Sequence, residues 1–243
     1  MGISKGAAEL FFHETLYEGA SSGRVLTLGR QDVHLTPMDL AEVAAKYGFP
    51  LTFLGRPLSK NADGHISDVD FFQSLGYDEV VAVDVVEKGS PEIMADLNDN
   101  WWKNLAACFT NVSPGFDLVV DGGTLEHVFN VPQALVNIHQ VLKVGGKVVH
   151  MLPASNFVDH GFWSFSPKLL ARYYIGNKYE VKRLALCRCA DERKLLGAWE
   201  IEEYDPDAQR AKAVGGLDGA CYLVACVATK CAESTCDHVP LDI

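Results

Sequence analysis

No stretch of this 243-residue chain approaches the roughly 18 consecutive apolar residues that a membrane span needs. Its opening residues, Met1 to Gly6, hold no apolar leader segment and lack the Ser or Thr that a myristoylation site places sixth. A cytoplasmic protein is therefore expected. Basic side chains are scarce as well: 21 Lys and Arg stand against 32 Asp and Glu, for a net charge of −11. That balance argues against the clustered cations of a nucleic-acid footprint, disfavours an anionic membrane surface, and fits a small or cationic substrate only loosely. The cysteine count, seven, is odd, and the core is large enough to do without disulfides, so reduced thiols are expected. Cys221, Cys226, Cys231 and Cys236 recur every five residues with His238 behind them, but without the two-residue gaps of zinc ligand pairs. In a strand that step puts Cys221 and Cys226 on opposite faces, so no metal site is expected. Finally, no Gly-x-Gly-x-x-Gly follows the first strand-like run, where a dinucleotide pyrophosphate would demand it.

What is present is an alternation of strand-like and helix-like segments, the mark of a parallel α/β sheet. Arg24 to Leu28, Glu79 to Asp84, Asp117 to Asp121 and Lys147 to Leu152 read as buried strands, with further strands near Glu180 to Cys189 and Tyr222 to Ala228. Thr36-Pro37-Met38-Asp39 opens a helix, with Thr as cap, Pro at the first helical position and an acid three residues on. Ser67 caps a second, Val131 to Leu142 carries one apolar stripe, and Ser166-Pro167 opens a fourth that ends at Gly176. Leu51 to Leu54 is either an edge strand or part of an insertion. The expected architecture is a single α/β domain over 1–243: a Rossmann-like, doubly wound, seven-stranded, mostly parallel sheet with helices on both faces. A helical insertion at 36–66 follows the first strand and is placed to cover the pocket.

Ligands of open α/β sheets sit outside the carboxyl ends of the strands, at the switch point. Asp84, ending a buried strand, suits a carboxylate that accepts both hydroxyls of a ribose. Asp96 follows twelve residues later and could face an exocyclic amine; Trp101 and Trp102 either stack beside a base or pack.

The stretch FDLVVDGGTLEHVFNVPQALVNIHQVLKVGGKVVHMLP, Phe116 to Pro153, closely resembles the central block of class I S-adenosylmethionine-dependent methyltransferases. A strand ending in Asp121 leads to Leu125-Glu126-His127-Val128, a helix, and Leu142-Lys143-Val144-Gly145-Gly146 before the next strand, with Val144 replacing the family's usual Pro. The resemblance runs from Arg24 to Pro153 with an interruption. It implies S-adenosyl-L-methionine bound across Gly29, Arg30, Gln31, Asp84, Val85, Asp96, Leu97, Asp121 and Gly122. The family's glycine-rich first loop is reduced to Gly29-Arg30-Gln31, and 55 residues separate Gly29 from Asp84 where about twenty are usual. S-adenosylmethionine carries no pyrophosphate, so one point of close backbone approach suffices, and Arg30 or Gln31 could meet the methionine end.

Methyl transfer needs alignment of acceptor and methyl, helped by a general base, for which histidine suits best. His160, in the loop Asp159-His160-Gly161-Phe162-Trp163, is the first choice as base or substrate contact, with Asp159 to orient it; His127 is the second. His150, inside a strand, reads as a core histidine with satisfied nitrogens. Asn156, His160 and Trp163 are the expected substrate contacts. The resulting reading is methyl transfer to an oxygen or nitrogen of a small molecule, such as a sugar or natural-product intermediate. Two others stay open: a non-catalytic S-adenosylmethionine-binding or regulatory protein, for which the degraded glycine loop speaks, and a nicotinamide-dependent oxidoreductase. Oligomeric state is open, a homo-oligomer included.

Overall fold

Val25 to Leu28 are buried on both faces of β1 (Arg24–Leu28), and the strand's neighbours explain why. It pairs in parallel with β2 (Glu79–Asp84) on one side and β4 (Phe116–Asp121) on the other. The computed structural model describes residues 2–14, 22–87, 89–102, 115–189, 197–205 and 215–241. From β1 the chain moves outward through β2 to the short β3 (Ile93–Met94), then returns to the far side of β1 as β4, followed by β5 (Leu142–Ser155). This reversal puts a switch point between β1 and β4. Beyond β5 lie β8 (Cys221–Thr229), β6 (Glu180–Cys189) and β7 (Glu200–Glu203), giving the order β3-β2-β1-β4-β5-β8-β6-β7. β8 runs antiparallel to both β5 and β6, and β7 is antiparallel to β6. Among the described residues the sheet therefore has eight strands, not seven. Two were not read from the sequence: the two-residue β3 and the edge strand Glu-Ile-Glu-Glu, whose mostly exposed polar residues conceal it.

Helices cover both faces. Successive residues of β8 alternate between two cores: Leu223, Ala225 and Val227 join one, Val224, Cys226 and Ala228 the other. Cys221 packs against the first and Cys226 belongs to the second, as their odd spacing requires. The first core holds α1 (Lys5–Glu14), α2 (Pro37–Lys46) and α3 (Asp68–Ser74); the second holds α4 (Val131–Val141) and α5 (Pro167–Gly176). The expected caps form. Thr36 and Asp39 make a reciprocal capping box, the Ser67 hydroxyl accepts from the Asp70 N–H at 3.1 Å, and that of Ser166 accepts from the Lys168 N–H at 3.2 Å.

Two segments differ from expectation. Leu51 to Leu54 forms no strand. β5 extends past Lys147–Leu152 in both directions, because the Gly145 N–H donates to the Lys230 carbonyl at 2.8 Å and Pro153 to Ser155 continue the pairing with β8 through a register shift. No helix among the described residues is long and apolar enough to cross a membrane.

Candidate active site

A cleft of about 330 Å³ opens at the carboxyl ends of β1, β2 and β4, the place where doubly wound sheets bind ligands. Its floor is the turn after β1. Gly29 has φ +74°, a region that L side chains avoid, and a Cβ there would stand 3.2 Å from the Thr124 hydroxyl. The turn is fixed by short bonds. The Gly29 N–H donates to the Val83 carbonyl at 2.7 Å, the Arg30 N–H to Asp84 Oδ2 at 3.1 Å, and the Thr124 hydroxyl to the Leu28 carbonyl at 2.5 Å. Asp84 is half-buried on the cleft wall, its other oxygen accepting from the Val86 N–H at 2.9 Å.

Of the residues expected to meet the cofactor, Gly29, Arg30, Gln31, Asp84, Val85, Asp96, Leu97 and Gly122 line this cleft. Their roles within it differ. The Arg30 guanidinium is engaged by Asp68 at 3.1 Å and by Glu92 at 2.7 Å, with its buried Nε left without a partner among the described residues. Gln31 is the better placed of the two. Its amide donates to the Leu28 and Gly29 carbonyls, which leaves its buried Oε1 without a partner among the described residues. That oxygen lies so close to Gly122 that a Cβ there would come within 2.2 Å. Asp121 does not line the cleft. It is fully buried, with Oδ1 accepting from the Thr124 and Leu125 N–H groups at 3.0 and 3.2 Å and Oδ2 bonded to His150 Nδ1 at 2.7 Å. The other His150 nitrogen meets the Tyr174 hydroxyl at 2.6 Å, so His150 is the satisfied core histidine expected. Trp101 and Trp102 are buried against each other in the second core, away from the lining. Residues 36–66 supply none of the lining either; they pack over α1 and the first core, so the cleft is not covered from that side.

A lone glycine and an orphaned buried acceptor are what S-adenosylmethionine asks of this end: close backbone approach without a phosphate cradle, and an oxygen for an ammonium. The residues present fit it. Asp84 would hold the ribose, Asp96 and Leu97 the base, and Gln31 the methionine end.

His127 lines the outer end of the cleft and brings a second group of residues to it. The short 3₁₀ turn Leu125–His127 follows β4, and the loop after β5 folds back on it. The Glu126 carbonyl accepts from the Phe162 and Trp163 N–H groups at 2.7 and 3.3 Å, and Gly161 passes so near that a Cβ would come within 2.7 Å of that carbonyl. The imidazoles of His127 and His160 thereby stand 5.4 Å apart, with Phe157 beside His160. Burial, and for His127 then the neighbouring His160, lowers both pKa values. Asp159 is exposed at φ +61° and shows no bond to His160 among the described residues; the acid nearest that ring is Glu126, 3.6 Å away. Burial, then the nearby Asp121, pushes the Glu126 carboxyl up to about 8. Trp163 Nε1 donates to the Val128 carbonyl at 3.0 Å, and its ring leans on Phe129, which also meets Phe162. Asn156 stands apart from this group. Its amide donates to the Asp218 and Ala220 carbonyls, tying the end of β5 to the turn before β8, and it does not line the cleft. Glu126 and the Phe129 wall went unnoticed in the sequence, although both lie within or next to the Leu-Glu-His-Val motif.

Residues 70–150 match the family model described as a methyltransferase domain. No curated protein matches the sequence. Among solved structures, the chain is similar to a SAM-dependent methyltransferase from Archaeoglobus fulgidus, with 13% identity over 93% of this chain and 95% of that one and a TM-score of 0.46. It is also similar to an O-methyltransferase from a trans-AT PKS multienzyme of Brevibacillus brevis, solved with S-adenosyl-L-homocysteine (14% identity, 96% and 74% coverage, TM-score 0.45). A third is the Burkholderia thailandensis 1,6-didemethyltoxoflavin-N1-methyltransferase, at 16% identity, 93% and 78% coverage and a TM-score of 0.33. The family match spans β2, β4 and most of β5, and the carboxyl ends of β2 and β4 border the cleft at the switch point.

Proposed function

We propose that the protein transfers the methyl group of S-adenosylmethionine to an oxygen or nitrogen of a small molecule with an apolar face. The observation that supports this reading is continuity. One cleft runs from Asp84, Gly29 and Gln31 to His127, and His160 and the exposed rings of Phe129, Phe162 and Trp163 stand next to that end. S-adenosylmethionine supplies an already activated methyl group, so the chain's own task is placement and exclusion of water. Asp84 accepts from the sugar hydroxyls, and Gln31 Oε1 accepts from the methionine ammonium. The aromatic side chains hold the acceptor's apolar face, and His160 or His127 takes the proton that the acceptor releases at its ring nitrogen.

Titration calorimetry tests the cofactor half. S-adenosylhomocysteine should bind the wild-type chain, and Asp84→Ala should weaken it about 10- to 100-fold, the effect of losing charge-assisted hydrogen bonds of roughly 1.5–3 kcal/mol. NAD should not bind. Failure of S-adenosylhomocysteine to bind would overturn the reading. Binding without transfer to any acceptor in a library of phenols, amines and sugars would instead favour a regulatory binder.

A further inference from the structure

Glu126 is fully buried, and neither of its carboxylate oxygens has a hydrogen-bond partner among the described residues. Interiors do not ordinarily leave such a group alone; buried acids are hydrogen-bonded, paired with a cation or coordinated to a metal. Its backbone holds it in place, since the same residue's carbonyl anchors the Phe162 and Trp163 N–H groups. Two imidazole nitrogens stand near it: His160 Nε2 lies 3.6 Å and His127 Nε2 3.9 Å from one carboxylate oxygen. Those separations are too long for hydrogen bonds. A zinc ion bound at about 2.0–2.2 Å to nitrogen and oxygen ligands sets those ligands roughly 3.0–3.5 Å apart. Each imidazole nitrogen is within a few tenths of an ångström of that separation from the carboxylate, and the two imidazoles would close on each other as the ion binds. The three ligand atoms already lie within 4.8 Å of one another.

We infer that Glu126, His127 and His160 form a site for one divalent transition-metal ion, of which Zn²⁺ is the best match, at the acceptor end of the cleft. Two imidazoles and one carboxylate suit Zn²⁺ or its first-row neighbours and not Mg²⁺ or Ca²⁺, which prefer shells of oxygen. Three protein ligands leave a coordination position open, and both imidazoles are exposed at the mouth of the cleft. The spacing is invisible in the sequence, because Glu126 and His127 are adjacent and His160 comes 33 residues later on another loop.

The catalytic consequence rests on the methyl-transfer reading; the ion binding does not. An acceptor hydroxyl in the open position would release its proton to solvent and remain as a metal-bound oxyanion. Its oxygen then forms the O–CH₃ bond as the S–CH₃ bond breaks, leaving neutral S-adenosylhomocysteine. In that arrangement His127 and His160 are ligands, and the ion takes over the task assigned above to a histidine base.

The test uses the full chain after treatment with a chelator, titrated with Zn²⁺ by calorimetry and with Co²⁺ as a spectroscopic probe. One ion per chain should bind with a Kd in the micromolar range or below, and Glu126→Gln and His160→Ala should each weaken it at least 10-fold. Co²⁺ should give the visible bands of a site with nitrogen and oxygen ligands, without a thiolate charge-transfer band. Circular dichroism of Glu126→Gln, which keeps the side chain's shape, checks that the variant folds. Absence of binding to the wild type would overturn the site. So would binding that survives in folded Glu126→Gln and His160→Ala, or that is lost instead in Cys231→Ser/Cys236→Ser. Asp84→Ala should retain the ion while losing S-adenosylhomocysteine, which separates failure of the metal site from failure of the methyltransferase reading.

Discussion

The two ends of the cleft are built in opposite ways. At the β1–β2 end, the polar groups that shape the turn are bonded to one another, Gly29 to Val83, Arg30 to Asp84, Thr124 to Leu28 and Gln31 to Leu28, with Gln31 Oε1 left for a ligand. At the acceptor end, Phe129 and Phe162 are 69% and 66% exposed, Trp163 is 42% exposed, and the carboxylate beneath the histidines is unpartnered. The first end is pre-organised, so a ligand binding there meets donors and acceptors that need no further ordering. The second keeps apolar surface in water and a polar group out of it, an arrangement whose cost only something bound can offset. A common cofactor and a particular acceptor would leave this division.

The largest expected effect lies beneath the ordered end. Asp121 and His150 are both wholly buried and paired at 2.7 Å, and Asp121 also holds two N–H groups of the following turn. Asp121→Ala should cost about 3–5 kcal/mol in urea unfolding, because it leaves buried partners unpaired. A loss below about 1 kcal/mol would break the claim that this end rests on a completed buried network. Asp84→Ala ranks second. It should weaken S-adenosylhomocysteine as given above and cost about 1–2 kcal/mol in unfolding, since the half-buried carboxylate accepts two backbone N–H groups. A loss as large as that of Asp121→Ala would mean that Asp84 belongs to the buried network and not to the ligand.

How far the sequence could show this division follows from distance along the chain. Helix caps are local, so Thr36, Ser67 and Ser166 could be read directly. So could the acid at the end of β2 and the glycine after β1, because a strand's end is visible in its own residues. The α1 helix was missed although Ser4 caps it, its hydroxyl accepting from the Ala7 N–H at 3.2 Å; two glycines close to its start obscure the pattern. Side-chain partnerships were beyond reach. Arg30 is consumed by Asp68 and Glu92, 38 and 62 residues away, and Asn156 by carbonyls 62 and 64 residues away. Asp159, chosen for adjacency to His160, yields to Glu126, which only the folding of one loop onto another brings near.

Trp163→Ala addresses the acceptor end and ranks third. The indole makes one hydrogen bond and leans on an exposed ring, so its removal should alter unfolding by about 0.5 kcal/mol or less. The acceptor's KM should rise about 5- to 10-fold, equivalent to roughly 1–1.4 kcal/mol, with the affinity for S-adenosylhomocysteine unchanged. Equal loss of both affinities would show that the aromatic wall supports the whole cleft, and the contrast between its ends would fail.

The smallest effect on the cleft should come from Thr36→Ala, and its near-absence is informative. Thr36 caps α2, and Asp39 closes the box by accepting from the Thr36 N–H at 2.9 Å. Losing the cap should destabilise the fold by about 0.5–1 kcal/mol. The Asp39 carboxyl is held below the ordinary carboxylate range first by the Thr36 hydroxyl and then by its backbone N–H. A carboxyl with a depressed folded pKa contributes stability above its unfolded value, about 3.9, and that stability is lost as pH falls through the folded value. The alanine variant should therefore lose less on acidification than the wild type, and their unfolding midpoints should converge below about pH 4. Because residues 36–66 lie off the lining, S-adenosylhomocysteine affinity should stay within twofold of wild type. A larger drop would mean that this segment closes over the cleft when the ligand is bound, and the pre-organised end would then depend on a moving part.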